Sequence, residues 1–116
     1  MAFEITSVYT LNQENKLTSE NIIDRFCELM MRQIRSANKD GCHKTCFYVC
    51  GVYANPKTGE IPEQITLDQM HSGDFQYYRW DDYVSEIKTR FQRAGYTIKP
   101  TGYISGVWQR TEHIHW

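Results

Sequence analysis

Side chains of the types that bind metal ions are concentrated in one short stretch and again at the end of the sequence. They are Cys42, His43, Cys46, Cys50, His113 and His115. A structural zinc site needs about four nitrogen or sulfur ligands, and two of them usually come from a Cys-x2-Cys pair. The cysteines here are spaced more widely, and on an extended strand Cys46 and Cys50 would lie about 13 Å apart. We therefore predict no metal site, and His43, His113 and His115 remain as the candidate ligands.

Catalytic chemistry has little support in the sequence. A cysteine nucleophile needs a base beside its thiol. Cys42 and His43 are neighbours on a stretch predicted to be extended, where adjacent side chains point to opposite faces. The sequence contains no phosphate-binding glycine loop, dinucleotide-binding motif, nucleophile elbow or zinc-protease motif. We expect a protein that is not an enzyme and needs no cofactor. The alternative is a small metal- or nucleotide-handling enzyme that uses His113 and His115.

The densest aromatic segment of the chain is residues 74–83, in which five of ten residues are aromatic. Tyrosine, tryptophan and arginine are the residue types that anchor protein interfaces, and one face of a small core cannot hold five large rings. We therefore predict a partner-binding surface in this segment. Its residues are Tyr77, Tyr78, Arg79, Trp80 and Tyr83. The competing interpretation is a loop that packs over the edge of the core.

The charge balance argues against nucleic acid as the main partner. The formal net charge is −1 and the isoelectric point is about 6.4. Proteins that bind nucleic acid non-specifically carry a surplus of basic residues instead. The alternative is a local basic surface, because Lys88, Arg90 and Arg93 are close together on one predicted helix.

The sequence also indicates a protein that stays in the cytoplasm. Its apolar runs are shorter than the ~20 residues of a membrane-spanning helix, and residues 1–5 lack the basic and apolar regions of a signal peptide. The four cysteines are typical of free thiols in a reducing compartment. We therefore expect no membrane partner.

The first half of the chain contains one strongly patterned helix. An apolar stripe at three- and four-residue steps predicts it over residues 21–37. Thr18 or Ser19 can cap its start, and Gly41 can end it. The other elements predicted in this half are a strand at 3–11, a turn at 11–16, a strand at 44–53 and a turn at 55–59.

The predicted strand at residues 44–53 has groups to bury on both faces. Phe47 and Val49 point one way and their neighbours point the other way, so we predict a central strand. The elements predicted after it are a returning edge strand at 61–67, a loop at 68–73 and a short strand at 75–80.

The last third of the chain predicts a second helix. Asp81 can cap it, Trp80 can pack onto its first turn, an apolar stripe runs from Tyr83 to Ala94, and Gly95 ends it. The elements predicted after it are strands at 96–99, 103–110 and 113–116, with a turn at 100–102.

Helices that alternate with pairs of strands are typical of α+β proteins. We predict a single domain over residues 1–116, in which two helices pack on one face of a mostly antiparallel sheet. A ferredoxin-like split βαβ arrangement is the leading specific form.

Two segments near the end combine a helix, a Gly-Tyr pair, a short strand and a last strand that ends in tryptophan. They are Phe91-Gln92-Arg93-Ala94-Gly95-Tyr96-Thr97-Ile98 and Ile114-His115-Trp116. This pattern resembles small proteins encoded by bacteriophages and prophages of Gram-positive and gut bacteria, which also carry a leading helix. The resemblance implies a phage accessory protein, and such small non-enzymatic proteins bind host proteins, inhibit defence systems or assemble in the virion.

We therefore expect a small phage-type protein that binds another protein stoichiometrically in the cytoplasm of a host cell. Inhibition of a CRISPR component or another defence protein is the concrete form of this prediction. The partner is then a host or phage protein. Self-association in a phage structural protein, as a homo-oligomer, is the alternative.

Overall fold

The computed structural model describes residues 4–100 and 112–116, with the backbone alone for residues 9–18. The helices are α1 (Val8–Lys39), α2 (Leu67–Ser72) and α3 (Val84–Arg93), and the strands are β1 (Lys44–Cys46), β2 (Gly51–Ala54), β3 (Gln76–Arg79), β4 (Thr97–Pro100) and β5 (Glu112–His115). The strands form two antiparallel sheets, which confirms the predicted α+β class. No helix in these ranges has the length and apolar character needed to cross a membrane.

Helix α1 begins well before its predicted cap. Its first residue is Val8, and residues 4–7 are not in a strand. The strand predicted at 3–11, the turn predicted at 11–16 and the cap predicted at Thr18 or Ser19 are therefore wrong. The physical reason is that this segment contains neither glycine nor proline. Residues 11–17 consist mostly of leucine, glutamine, glutamate and lysine, which favour a helix, and polar composition alone does not end one.

The apolar stripe of α1 forms one side of the core, as predicted. Its buried members are Ile22, Ile23, Phe26, Met30 and Ile34. Gly41 has a φ of 84°, and the amide of Cys42 just after it donates to the carbonyl of Ala37 at 2.9 Å. This left-handed cap satisfies a free carbonyl at the helix end. The predicted terminator at Gly41 is confirmed.

The strand predicted at residues 44–53 is divided between the two sheets. β1 and β2 are separated by residues 47–50, and β1 is an edge strand, so the predicted central strand is wrong. The predicted alternation is confirmed, since Phe47 is buried while Tyr48 and Cys50 are exposed. Local alternation does not show that the chain leaves one sheet for another within this run.

The three-stranded sheet has the order β1-β5-β4, with β5 antiparallel to both neighbours. Ile114 on β5 is fully buried and lies opposite Thr45 and Ile98. The strands predicted at 96–99 and 113–116 are confirmed in β4 and β5. The strand predicted at 103–110, and most of the turn predicted at 100–102, lie outside the described residues.

The two-stranded sheet pairs β2 with β3. Val52 and Ala54 on β2 are buried, so their side of this sheet faces the core. A ferredoxin-like fold has a strand before its first helix and one continuous sheet. The described residues show neither feature, because they place no strand before α1 and divide their strands between two sheets.

Residues 55–66 connect β2 to α2. The turn predicted at 55–59 is confirmed, with the Asn55 side chain accepting a hydrogen bond from the amide of Lys57 at 2.9 Å. The edge strand predicted at 61–67 is wrong, because β3 takes its place beside β2. Glu63 instead holds this segment against α1 through Arg25 and Arg32, and the hydrogen bond from Arg32 lowers the pKa of Glu63 to about 2.

Helix α3 begins later than predicted. Residues Trp80–Asp82 form a 3-10 turn, and the helix starts at Val84 without a side-chain cap, so the cap predicted at Asp81 is wrong. Ile87 and Phe91 are buried as predicted, whereas Ala94 is exposed. Gly95 follows the helix with a φ of 100°, which confirms it as the terminator.

Candidate protein-binding surface

Trp80, predicted to anchor a partner, lies in the core. Only 2% of its surface is exposed. Its ring meets those of Phe26 and Phe47 edge to face, with centroids 5.5 and 5.0 Å away, an arrangement favoured for aromatic pairs. The backbone amide of Trp80 donates to the carbonyl of Cys50 at 3.3 Å. The prediction of a partner-binding role is therefore wrong for Trp80, because this ring joins α1 to the region between the sheets.

Tyr78 and Tyr83 occupy an intermediate position at the edge of the core. Their rings are 6.4 Å apart, and Tyr83 also lies 5.9 Å from Phe26. Burial raises the pKa of Tyr83, and the neighbouring Tyr78 and Asp82 raise it further. These two tyrosines pack between the surface and the core, and they expose little area to a partner.

Tyr77 and Arg79 do lie on the surface. They alternate with Tyr78 along β3, so their side chains point to the opposite face of the sheet. Cross-strand pairing places Tyr53 opposite Tyr77 and Gly51 opposite Arg79. The Tyr53 and Tyr77 rings are 5.0 Å apart in a tilted contact, and Tyr77 remains 49% exposed.

The ring of Tyr77 lies directly over Gly51. A Cβ atom at Gly51 would approach Tyr77 Cζ to 2.5 Å and Tyr77 Oη to 2.6 Å. Such distances are far below van der Waals contact, so only glycine at this position leaves room for the ring. The absent side chain therefore leaves the space that the outer end of the Tyr77 ring occupies.

Tyr48 extends this surface from the segment between β1 and β2. It is 46% exposed, and its ring centroid lies 6.3 Å from that of Trp80. A hydrogen bond with the Cys50 thiol raises the pKa of Tyr48, and the charges of Asp81 and Tyr77 have the same effect. Tyr48 is therefore an exposed ring within electrostatic range of Tyr77. We call Tyr48, Tyr53, Tyr77 and Arg79 the aromatic face.

The single cation of the aromatic face is weakly paired. Arg79 Nη2 lies 3.3 Å from Asp81 Oδ2, and both side chains are about two-thirds exposed. Exposed pairs of this kind contribute roughly 0–1 kcal/mol because water and salt screen them. Arg79 can therefore exchange Asp81 for a carboxylate of a partner at little cost.

Helix α2 is a second exposed apolar element. It contains no buried residue, and Leu67 and Met70, three residues apart on one side, are 72% and 45% exposed. Its ends are nevertheless well capped, because Thr66 and Gln69 form a reciprocal capping box and Gly73 adopts a left-handed conformation. The loop predicted at 68–73 is wrong, and the Thr-x-x-Gln pattern is the signal that predicts this helix.

The predicted metal-ligand candidates are only partly brought together. His113 and His115 lie on the same face of β5 with ring centroids 6.4 Å apart, while His43 precedes β1 and its carbonyl accepts from the amide of Trp116 at 3.0 Å. Within residues 4–100 and 112–116, no three His, Cys, Asp or Glu side chains are arranged to hold a metal ion. All four cysteines are free thiols.

The basic residues of α3 do not form an open cationic surface. Lys88 pairs with Glu112, and Arg90 pairs with Asp24 and, at 3.7 Å, with Glu86. Hydrogen bonding to Asp24 raises the pKa of Arg90. Two of the three basic groups predicted for this surface are therefore committed to contacts within the fold.

Comparison of the chain with protein-family models, with curated proteins and with solved structures finds no match. The geometry of the described residues is therefore the basis for a functional proposal.

Proposed function

We propose that this protein is a non-enzymatic binding protein that docks a partner protein on the aromatic face. The observation that supports this proposal is the Tyr53–Tyr77 ring pair, in which Tyr77 is exposed beside Gly51 and Tyr53 is half-buried, together with the exposed Tyr48 and Arg79. Nearly half of the Tyr77 surface is exposed to solvent, which leaves its ring available to a partner.

The physical argument rests on the low entropy cost of ordering tyrosine. A tyrosine has few rotatable bonds and supplies a large area with a hydrogen-bonding hydroxyl, so it binds a partner with little loss of side-chain freedom. Contact with the Tyr53 ring, 5.0 Å away between centroids, already restricts Tyr77 before binding. Such pre-organisation increases affinity by reducing the entropy lost on association.

The chemistry of the face defines the partner surface. Three phenol rings require apolar area with hydrogen-bonding groups at its edge, and Arg79 requires an acidic group. Exposed Leu67 and Met70 on α2 are a separate apolar element that a partner can also contact. The phage resemblance supplies the partner class in this proposal, which is a host protein such as a CRISPR component or another defence protein.

A quantitative pull-down tests this proposal. Tagged wild-type protein, a Tyr48→Ser/Tyr77→Ser variant and an Ile5→Ser control are incubated with host-cell lysate, and captured proteins are measured by mass spectrometry. Ile5 is a suitable control because it is apolar, 85% exposed and outside both sheets. The purified partner is then titrated against each variant, and we expect at least about tenfold weaker binding for the double variant, the effect of about 1.4 kcal/mol.

Equal affinity of the double variant and the wild type for the same partner would contradict the aromatic face. Light scattering after size exclusion addresses the alternative of a second copy of this chain. A wild-type dimer that becomes a monomer in the double variant would identify the occupant as another copy of this protein.

A further inference from the structure

The outward face of the three-stranded sheet carries a second group of functional side chains. Residues that face each other across antiparallel strands project on the same side of a sheet. The pairing of β1, β5 and β4 therefore places six side chains together. They are Lys44, Cys46, Thr97, Lys99, His113 and His115. We call these residues the cationic face.

Two rows of cross-strand neighbours make up the cationic face. Lys44, His115 and Thr97 form one row, and Cys46, His113 and Lys99 form the next. The rows span three strands and therefore about 10 Å, from the ~4.8 Å spacing between strands. The lysines lie at opposite corners, so positive charge is distributed across the whole face.

This face carries no compensating negative charge of its own. None of its six residues is acidic, and Glu112 of β5 lies on the other side of the strand, where it pairs with Lys88 of α3. Burial raises the pKa of Cys46, so its thiol stays neutral at neutral pH. The face therefore attracts anions although the whole chain has a net charge of −1.

The charges on the cationic face interact with one another. Partial desolvation lowers the pKa of His115, and the charges of Lys99, Lys44 and His113 lower it further. Bringing a bound anion to this face reduces that repulsion. By linkage, anion binding promotes protonation of His115, and lower pH strengthens anion binding.

We propose that the cationic face binds the phosphate backbone of double-stranded DNA. The two lysines present point charges, which suit the many oxygen directions of phosphates, whereas carboxylates are best recognised by the fork of arginine. None of the six residues is arginine. None is phenylalanine, tyrosine or tryptophan, the large rings on which the bases of single strands stack best, and this favours a duplex.

The expected binding is weak and independent of DNA sequence. Duplex DNA carries one charge per about 1.7 Å of its axis, so a face about 10 Å wide meets several phosphates at once. Contacts with phosphates alone do not read base sequence. A weak surface of this kind would supplement the aromatic face, for example where the partner protein is itself bound to DNA.

Salt titration of a fluorescent duplex, followed by anisotropy at pH 8.0 and at pH 5.5, tests the proposal on the full chain. With two lysines in contact, the slope of log K against log salt is about −1.8 at pH 8.0, from about −0.9 per phosphate contact. At pH 5.5 the slope is expected to be steeper, approaching about −2.7 if bound phosphate draws a proton onto His115, from about −0.9 for each added contact. A single strand of the same sequence is expected to bind more weakly.

Two double variants and one control separate the contributions. Lys44→Gln/Lys99→Gln is expected to lose binding at pH 8.0, and His113→Gln/His115→Gln is expected to keep it while losing the steeper slope at pH 5.5. Lys57→Gln/Arg93→Gln removes the same charge from exposed positions outside the sheet, and it should bind like the wild type. Circular dichroism confirms that each variant is folded.

Three results would each overturn the proposal. One is binding by the Lys44→Gln/Lys99→Gln variant that equals that of the wild type. Another is an equal loss of binding in the Lys57→Gln/Arg93→Gln control, which would indicate a general effect of net charge. The third is tighter binding of the single strand than of the duplex. None of these outcomes depends on a partner of the aromatic face, so the two proposals fail independently.

Discussion

The two-stranded sheet presents tyrosines to solvent, whereas the three-stranded sheet presents lysines and histidines. Residues 44–54 supply one strand to each of them. β2 meets Tyr77 and Arg79 on β3, while β1 meets His113 and His115 on β5. Each outward face therefore combines side chains of this shared segment with side chains of the strand that pairs with it. A strand's own sequence describes only part of the surface that it helps to form.

The inner sides of the two sheets are alike. Val52 and Ala54 behind the aromatic face are buried, and so is Ile114 behind the cationic face. All belong to one core with α1 and α3. The difference between the sheets is thus confined to their solvent sides, and substitutions can separate the stability of the core from the chemistry of each face.

Replacement of Trp80 should have the largest effect, because its ring serves the shared core. We expect Trp80→Ala to lower the free energy of unfolding by about 3–5 kcal/mol, the cost of truncating a large buried ring. Tyr77→Ala, three residues earlier, removes a cross-strand pair at the surface and should cost about 0.2–1 kcal/mol. Urea denaturation measures both, and similar losses would contradict the division into inner and outward sides.

Truncation of the central strand of the three-stranded sheet should come next. Ile114→Ala removes fully buried methyl groups, and we expect a loss of about 2–5 kcal/mol. Ile98→Ala makes the same chemical change at a half-buried position on an edge strand, so it should cost less. Equal unfolding free energies for the two variants would show that β5 is not the buried centre of this sheet.

A methyl group at Gly51 should disturb the aromatic face without affecting the cationic face. Gly51→Ala places a Cβ atom 2.5 Å from the Tyr77 ring and 2.6 Å from the Tyr78 carbonyl. We expect a loss of about 1–3 kcal/mol in urea denaturation, typical of overpacking. Combining it with Tyr77→Ala should restore only part of this loss, because the clash with the carbonyl remains.

The Gly51→Ala variant also links stability to partner binding. Displacement of the Tyr77 ring should weaken binding of the partner to the aromatic face. The proposed DNA binding should keep the salt dependence of the wild type. If Gly51→Ala and the wild type had the same free energy of unfolding, the Tyr77 ring would not occupy the space beside this glycine.

Acidification should have the smallest effect and should act through the cationic face. The pKa of His115 is lowered below its ordinary value of 6.5, so the unfolded chain binds this proton more readily than the folded one. Stability therefore falls as pH drops below about 6.5 and is regained as pH rises. We expect His115→Gln to reduce this acid-induced fall in melting temperature, and Lys99→Gln to reduce it less, since desolvation is the larger cause. Superimposable pH profiles would contradict this assignment.

The residues of the candidate surface were partly predictable from sequence. Tyr77 and Arg79 follow from the aromatic segment at 74–83, and both are exposed. The alternation that places Tyr78 inward is also local. Burial of Trp80 was not predictable, because it results from contacts with Phe26 and Phe47, which come from two distant parts of the chain.

One apolar stripe, the carboxyl ends of two helices and one turn show what the sequence by itself determined. The stripe from Ile22 to Ile34, the left-handed glycines at 41 and 95, and the turn at 55–59 each depend on residues within a few positions of one another. Only the tertiary structure decided that residues 44–54 serve two sheets and that Tyr53 lies beside Tyr77 while Lys44 lies beside His115. Side-chain periodicity arises from neighbouring backbone dihedrals, whereas strand pairing depends on which distant segment buries the most apolar surface.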